Sequence, residues 1–118
     1  MIKLKSLAQQ SSSNSMSFKK ILLVLFLLIF SSSVFADDKM ALGVEVYNNK
    51  AECGACHTLK AAGSTGTIGP NLDQLKPTIP QIISAVINGI GVMPPWEGIL
   101  TDEEIEAVAY YVYNSTNK

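Results

Sequence analysis

Both cysteines and the only histidine of this 118-residue chain fall within five consecutive positions, Cys53-Gly54-Ala55-Cys56-His57. Two thiols one helical turn apart, followed at once by an imidazole, suit a redox dithiol, part of a metal site, or the attachment point of a cofactor. Ligand counting weighs against structural zinc, which wants four Cys or His ligands where the chain owns three. A thioredoxin-like dithiol belongs beside a βαβ pattern, which is absent, and leaves His57 unexplained. A disulfide between positions three apart closes too small a loop to act as a staple. Attachment of a c-type haem uses all three side chains. Each thiol adds to one of the two vinyl groups, the imidazole is held beneath the iron, and the small residues Gly54 and Ala55 lie against the porphyrin edge.

The residues before Asp37 have a different character. Lys3, Lys5, Lys19 and Lys20 precede the ten-residue apolar block Ile21 to Phe30, then Ser-Ser-Ser-Val-Phe-Ala, and no acid occurs before Asp37. That order reads as a secretory signal peptide over residues 1–36, cut after Ala36, with Met16 as an alternative start that gives the signal ordinary proportions. Ten apolar residues fall short of the roughly 20 that cross a bilayer as a helix, so no stable membrane span is expected after cleavage. The expected product, residues 37–118, is exported to the periplasm. It carries five lysines, no arginine and ten acids, a formal charge of −5. Nucleic-acid binding needs clustered positive charge and is excluded; a basic docking surface on a protein partner suits this chain better.

The periodic segments of residues 37–118 are helical, with loops between them and no alternation long enough for a sheet. Asp37 or Asp38 is placed to cap a first helix running to about Asn48, with Met40, Gly43, Val44 and Tyr47 on one face. Ala61 to Leu72 is rich in Gly, Ser and Thr and reads as loop, followed by one helical turn at Leu72 to Leu75 stopped by Pro77. Thr78 with Gln81 and Thr101 with Glu104 each make a capping-box pattern. They open a helix with the stripe Ile79, Ile82, Ile83, Val86 and Ile87, ending at Gly89, and a last helix with Ile105, Val108, Ala109 and Val112, ending near Asn114. Eighty-two residues with that much loop offer little core of their own, and a large flat cofactor would fill the gap.

The sixth position on the iron decides the chemistry. After Asp37 the chain contains only Met40 and Met93. Met40 sits on the apolar helix face, where packing explains it. Met93 lies 36 residues after His57, in a loop between Gly89/Gly91 and Pro94-Pro95, where glycines permit close approach and prolines stiffen the chain. His57 and Met93 are therefore the candidate axial ligands, and thioether with imidazole is the pairing of electron carriers. Trp96, just after this loop, is placed either to hydrogen-bond a haem propionate or to cover the ring.

Together, Cys53 to His57, Gly69-Pro70-Asn71-Leu72, Asn88 to Pro94 and Leu100 to Tyr113 resemble a small class I cytochrome c over essentially all of residues 37–118. The resemblance implies an all-α fold of three to four helices wrapped around one covalently attached haem c. It implies that Pro70 offers its carbonyl to the imidazole of His57, fixing the tautomer that binds iron. It also implies that the first and last helices cross where Gly43 and Tyr47 face Tyr110 or Tyr111. Six positions separate Tyr47 from Cys53, more than in many small relatives, so a longer turn into the haem motif is expected. Residues 53–77 and 88–94 are most similar to small cytochromes associated with periplasmic sulfite dehydrogenases. The function implied is electron carriage between a dehydrogenase, such as a sulfite dehydrogenase, and a respiratory acceptor such as a terminal oxidase; the chain is not itself an enzyme, though it suits the cytochrome subunit of one. The alternative is a haem enzyme or gas sensor with an open sixth position.

Overall fold

Hydroxyl caps decide where the two long C-terminal helices begin. In the computed structural model, which describes residues 17–29 and 34–118, the chain divides into two compact units, Met1–Ser32 and Ser33–Lys118. The first contains α1 (Phe18–Ile29), an apolar helix whose described side chains are exposed. Lys3, Lys5 and Met16 lie outside the described residues. The second contains α2 (Val34–Glu45), a π-helical turn (Val46–Lys50), a short pair of strands β1 (Thr58–Leu59) and β2 (Ser64–Thr65), and helices α3 (Leu72–Leu75), α4 (Ile79–Asn88) and α5 (Asp102–Thr116). No helix among the described residues is long and apolar enough to cross a membrane.

Both capping boxes form as the sequence predicts. Gln81 Oε1 accepts from the Thr78 N–H at 2.9 Å, and Thr78 Oγ1 accepts from the Gln81 N–H at 3.4 Å. The same exchange links Thr101 and Glu104 at 3.0 and 3.2 Å. Each box satisfies helix N–H groups that have no partner within the helix. The predicted stripe of α5 is buried throughout, joined by Ala107 and Tyr111. α5 runs to Thr116 rather than Asn114, closed by the Asn117 N–H, which donates to the Tyr113 carbonyl at 3.0 Å.

The first helix departs from expectation at both ends. Asp37 and Asp38 do not cap it; it starts at Val34, since Val34-Phe35-Ala36 carry no breaker, and Asp37 sits in the first turn, where a carboxylate complements the helix dipole. The expected boundary after Ala36 thus falls within α2. At the other end the regular helix stops at Glu45 and widens, with the Ala51 N–H donating to the Val46 carbonyl at 2.9 Å. Glu52 then adopts a left-handed conformation, φ 47°. These two features make up the longer turn into the motif. The widening buries Val46 and Tyr47 and leaves Val44 exposed, so Val44 does not share the inward face as expected.

α2 and α4 both pack on α5. Gly43 makes the α2/α5 crossing: a Cβ there would stand 2.3 Å from the Ala107 carbonyl oxygen and 2.6 Å from Tyr111 Cβ. Four residues on, Tyr47 meets Tyr111 edge to face, ring centroids 5.6 Å apart. The aromatic partner is thus Tyr111, while Tyr110 lies outside it with Lys39 Nζ 5.8 Å from its ring. The loop expected over residues 61–72 also contains a small ordered element. Thr58 and Leu59 pair antiparallel with Thr65 and Ser64, a two-residue ladder too short to leave an alternating pattern.

Candidate functional site

The Cys53–His57 segment leaves the π-turn as a single tight turn, Cys53–Ala55, in which the Cys56 and His57 N–H groups both point to the Cys53 carbonyl, at 3.1 and 3.0 Å. The turn faces an apolar cavity of about 1000 Å³, the upper end of the range for small-molecule and cofactor pockets. Cys53, Cys56, His57, Pro70, Met93 and Trp96 all line it, so every residue nominated from the sequence is brought to one site; the other walls include Leu72, Ile82, Val86, Val108 and Val112. Met40 packs against the core without lining the cavity. The remaining walls are overwhelmingly aliphatic, and burial pushes the Cys53 thiol up to about 11.

The loop that follows the motif grips it closely. His57 Nδ1 lies 2.8 Å from the Pro70 carbonyl oxygen. A carbonyl only accepts, so Nδ1 carries the proton and Nε2 has its lone pair free for a metal. Gly69 lies against the ring, where a Cβ would stand 2.5 Å from Cε1 and 2.8 Å from Nδ1. Its N–H donates to the Cys56 carbonyl at 2.8 Å. Gly66 packs on the peptide joining Cys56 to His57, with a Cβ position 2.6 Å from the Cys56 carbonyl carbon. Gly66 carries no signal in the sequence, whereas Gly69 opens the Gly-Pro-Asn-Leu stretch.

Met93 is presented by a second device. Ile90 and Met93 exchange both backbone hydrogen bonds, at 3.0 and 3.1 Å, across a turn made by Gly91 (φ 57°) and Val92. The Trp96 N–H then returns to the Val86 carbonyl of α4 at 2.8 Å. Gly89 has φ 69°, and a Cβ on it would come within 2.5 Å of the Met93 carbonyl oxygen. Gly89 therefore permits the loop to fold on itself; the close approach expected toward a ring is here an approach of backbone to backbone.

Two thiols and an imidazole on one wall, a thioether in the lining and aliphatic walls between them fit a haem: Cys53 and Cys56 would hold it covalently, and His57 Nε2 is the free nitrogen donor. Fold and site together define a small helical haem-binding electron-transfer domain. The comparisons agree. A model of the family described as "Cytochrome C oxidase, cbb3-type, subunit III" matches residues 38–112. Cytochrome c6 of Tetradesmus obliquus is 35% identical over 88 residues, covering 66% of this chain and 92% of that protein. Cytochrome c6 of Pyropia yezoensis is 35% identical over 112 residues, covering 85% and 97%. The crystal structure of the c-type cytochrome SorU from Sinorhizobium meliloti shares 52% identity with a TM-score of 0.65, covering 70% of this chain and 95% of that one. The chain belongs to the c-type cytochromes, as a small class I member with the all-α fold expected from its sequence. Membership makes it an electron-transfer protein that carries covalent haem c.

Proposed function

We propose that this protein is a periplasmic one-electron carrier with a single haem c on Cys53 and Cys56 and with His57 and Met93 as axial ligands. The observation that carries the reading is the His57–Pro70 hydrogen bond beside the cavity, because it fixes the tautomer whose Nε2 is free. When bound, the haem would supply a ferric/ferrous couple, and with the Met93 thioether as a ligand besides His57 the ferrous state would be favoured and no position left open for oxygen chemistry. Pro70 holds the imidazole from behind. Met93 is kept in place by the Ile90 turn and the Trp96–Val86 tether. Trp96, half-buried in the lining, shields the cavity or donates its indole N–H to a haem carboxylate.

Export rests on the N-terminal order of lysines, apolar helix and small residues, with cleavage after Ala36 and Met16 as the alternative start. The donor is a dehydrogenase and the acceptor a respiratory oxidase. The likeness of residues 53–77 and 88–94 to sulfite-dehydrogenase cytochromes supports sulfite dehydrogenase as that donor. Lys39 and Lys50 are already paired, with Glu106 and Glu104, which leaves a net acidic exterior that favours a basic partner and predicts electron transfer slowed by salt.

The test is spectroscopic. The reduced protein should show the sharp visible band of a low-spin haem c, and the oxidised protein the weak red band of thioether ligation, lost in Met93→Ala. Ready binding of carbon monoxide by the reduced wild type at neutral pH would instead establish an open sixth position, the mark of a haem enzyme or gas sensor.

A further inference from the structure

The Ser64 hydroxyl sits beside the haem motif and touches three residues. It lies 3.0 Å from the His57 carbonyl oxygen, 3.1 Å from the Leu59 nitrogen and 3.1 Å from the Tyr47 phenol oxygen. A hydroxyl has one proton and two acceptor sites. The assignment that uses all three has Ser64 donating to His57 O while accepting from the Leu59 N–H and the Tyr47 O–H. Its other acceptor, the Leu59 carbonyl, is farther away at 3.4 Å. Tyr47 is fully buried, and burial pushes its phenol up to about 12, so the phenol remains protonated and able to donate. Tyr47 is in turn fixed edge to face on Tyr111 of α5. Gly54 leaves room for this contact, since a Cβ there would stand 2.7 Å from Ser64 Cβ.

His57 is therefore held at both ends. Its ring is bonded to Pro70 and its carbonyl to Ser64, and Ser64 is referenced to the α2/α5 crossing through Tyr47. We propose that Ser64 is a positioning residue for the His57 imidazole, transmitting the placement of the Tyr47–Tyr111 pair to the ring nitrogen that the Pro70 bond leaves free. This rests on the reading of His57 as an axial ligand. Without the hydroxyl, the His57 carbonyl loses its tether and the ring turns relative to Pro70. The Nδ1–H bond then weakens, the imidazole becomes a poorer electron donor, and ferric iron is less stabilised.

The experiment compares holoprotein variants by NMR of the ferric state and by equilibrium redox titration. In wild type, hyperfine-shifted His57 ring protons are expected; their absence would overturn the axial reading itself. Given those signals, Ser64→Ala should displace them and raise the reduction potential, while Ser64→Thr, which keeps the hydroxyl, should return both toward wild type. Tyr47→Phe removes only the hydroxyl and should give a smaller displacement in the same direction. Loss of stability in Ser64→Ala with His57 signals and potential unchanged would overturn the proposal. If Ser64→Ala fails to accumulate, unshifted signals in Tyr47→Phe would overturn it equally.

Discussion

Gly43 and Ala107 bring the backbones of α2 and α5 into direct contact: a Cβ on Gly43 would lie 2.3 Å from the Ala107 carbonyl oxygen, inside any van der Waals limit. Neither atom is the end of a flexible side chain, so relief requires the helices to separate. Separation would also pull Tyr47 from Tyr111. Gly43→Ala should therefore destabilise the domain by about 1–3 kcal/mol, the range for overpacking a tight contact. Chemical denaturation should show a lower midpoint with an unchanged slope.

Gly69 makes the corresponding contact with the His57 ring. In Gly69→Ala the methyl must displace the imidazole or the loop, because its expected position is 2.5 Å from Cε1 and 3.0 Å from Nε2. The expected result is a lower ratio of covalent haem to protein in the purified material, and a changed axial-ligand signature in what does form. Gly63→Ala is the matched control. Gly63 has φ 65° and no neighbour within 4 Å of its Cβ position, so its substitution should cost about 1–2 kcal/mol of backbone strain while leaving the haem spectrum unchanged.

Lys76 ends α3 in the left-handed conformation, φ 48°, with its N–H bonded to the Leu72 carbonyl at 2.9 Å. That is the position at which glycine ordinarily terminates a helix. The side chain is exposed. Lys76→Gly should therefore equal or exceed wild type, by up to about 1 kcal/mol, whereas Lys76→Val, β-branched, should fall below both. Thermal unfolding of the three proteins would check the order.

The parts of this fold that were legible in the sequence are those fixed by local chemistry. Thr78/Gln81 and Thr101/Glu104 satisfy orphan N–H groups within four residues, so their pattern and their structure coincide. Cys53, Cys56 and His57 are legible as a motif, and Met93, singled out in the sequence by elimination, lines the same cavity. The widening at Val46–Lys50 was not, because it is chosen by what Tyr47 reaches, Tyr111 and Ser64, which lie 64 and 17 positions away in the sequence. Ser64 and Gly66 looked like ordinary loop residues. Their roles come from a loop that folds back on the motif, and no local spacing reports that. The start of α2 at Val34 is not legible, because Asp37 is a good capping residue and yet Val34, Phe35 and Ala36 before it carry no helix breaker.

Glu104 completes the α5 capping box and also receives Lys50 from the π-helical turn, joining α5 to the turn that precedes the motif. The Lys50 hydrogen bond, followed by that from the Thr101 N–H, holds its carboxyl below the usual carboxylate range. A group whose folded pKa is depressed contributes stability in full above its unfolded value, about 4.3 for Glu, and loses it as pH falls through the lower folded value. Glu104→Gln keeps an oxygen for the Thr101 N–H but has no charge to pair with Lys50. The variant should be less stable than wild type at neutral pH. The difference should start to shrink as pH falls below the unfolded value and disappear once pH is below the lower folded value, where the folded carboxyl is neutral too. Denaturant midpoints of both proteins measured from pH 7 to pH 3 would reveal this convergence, and a gap that stays constant across that range would show that the Lys50 pairing makes no pH-dependent contribution.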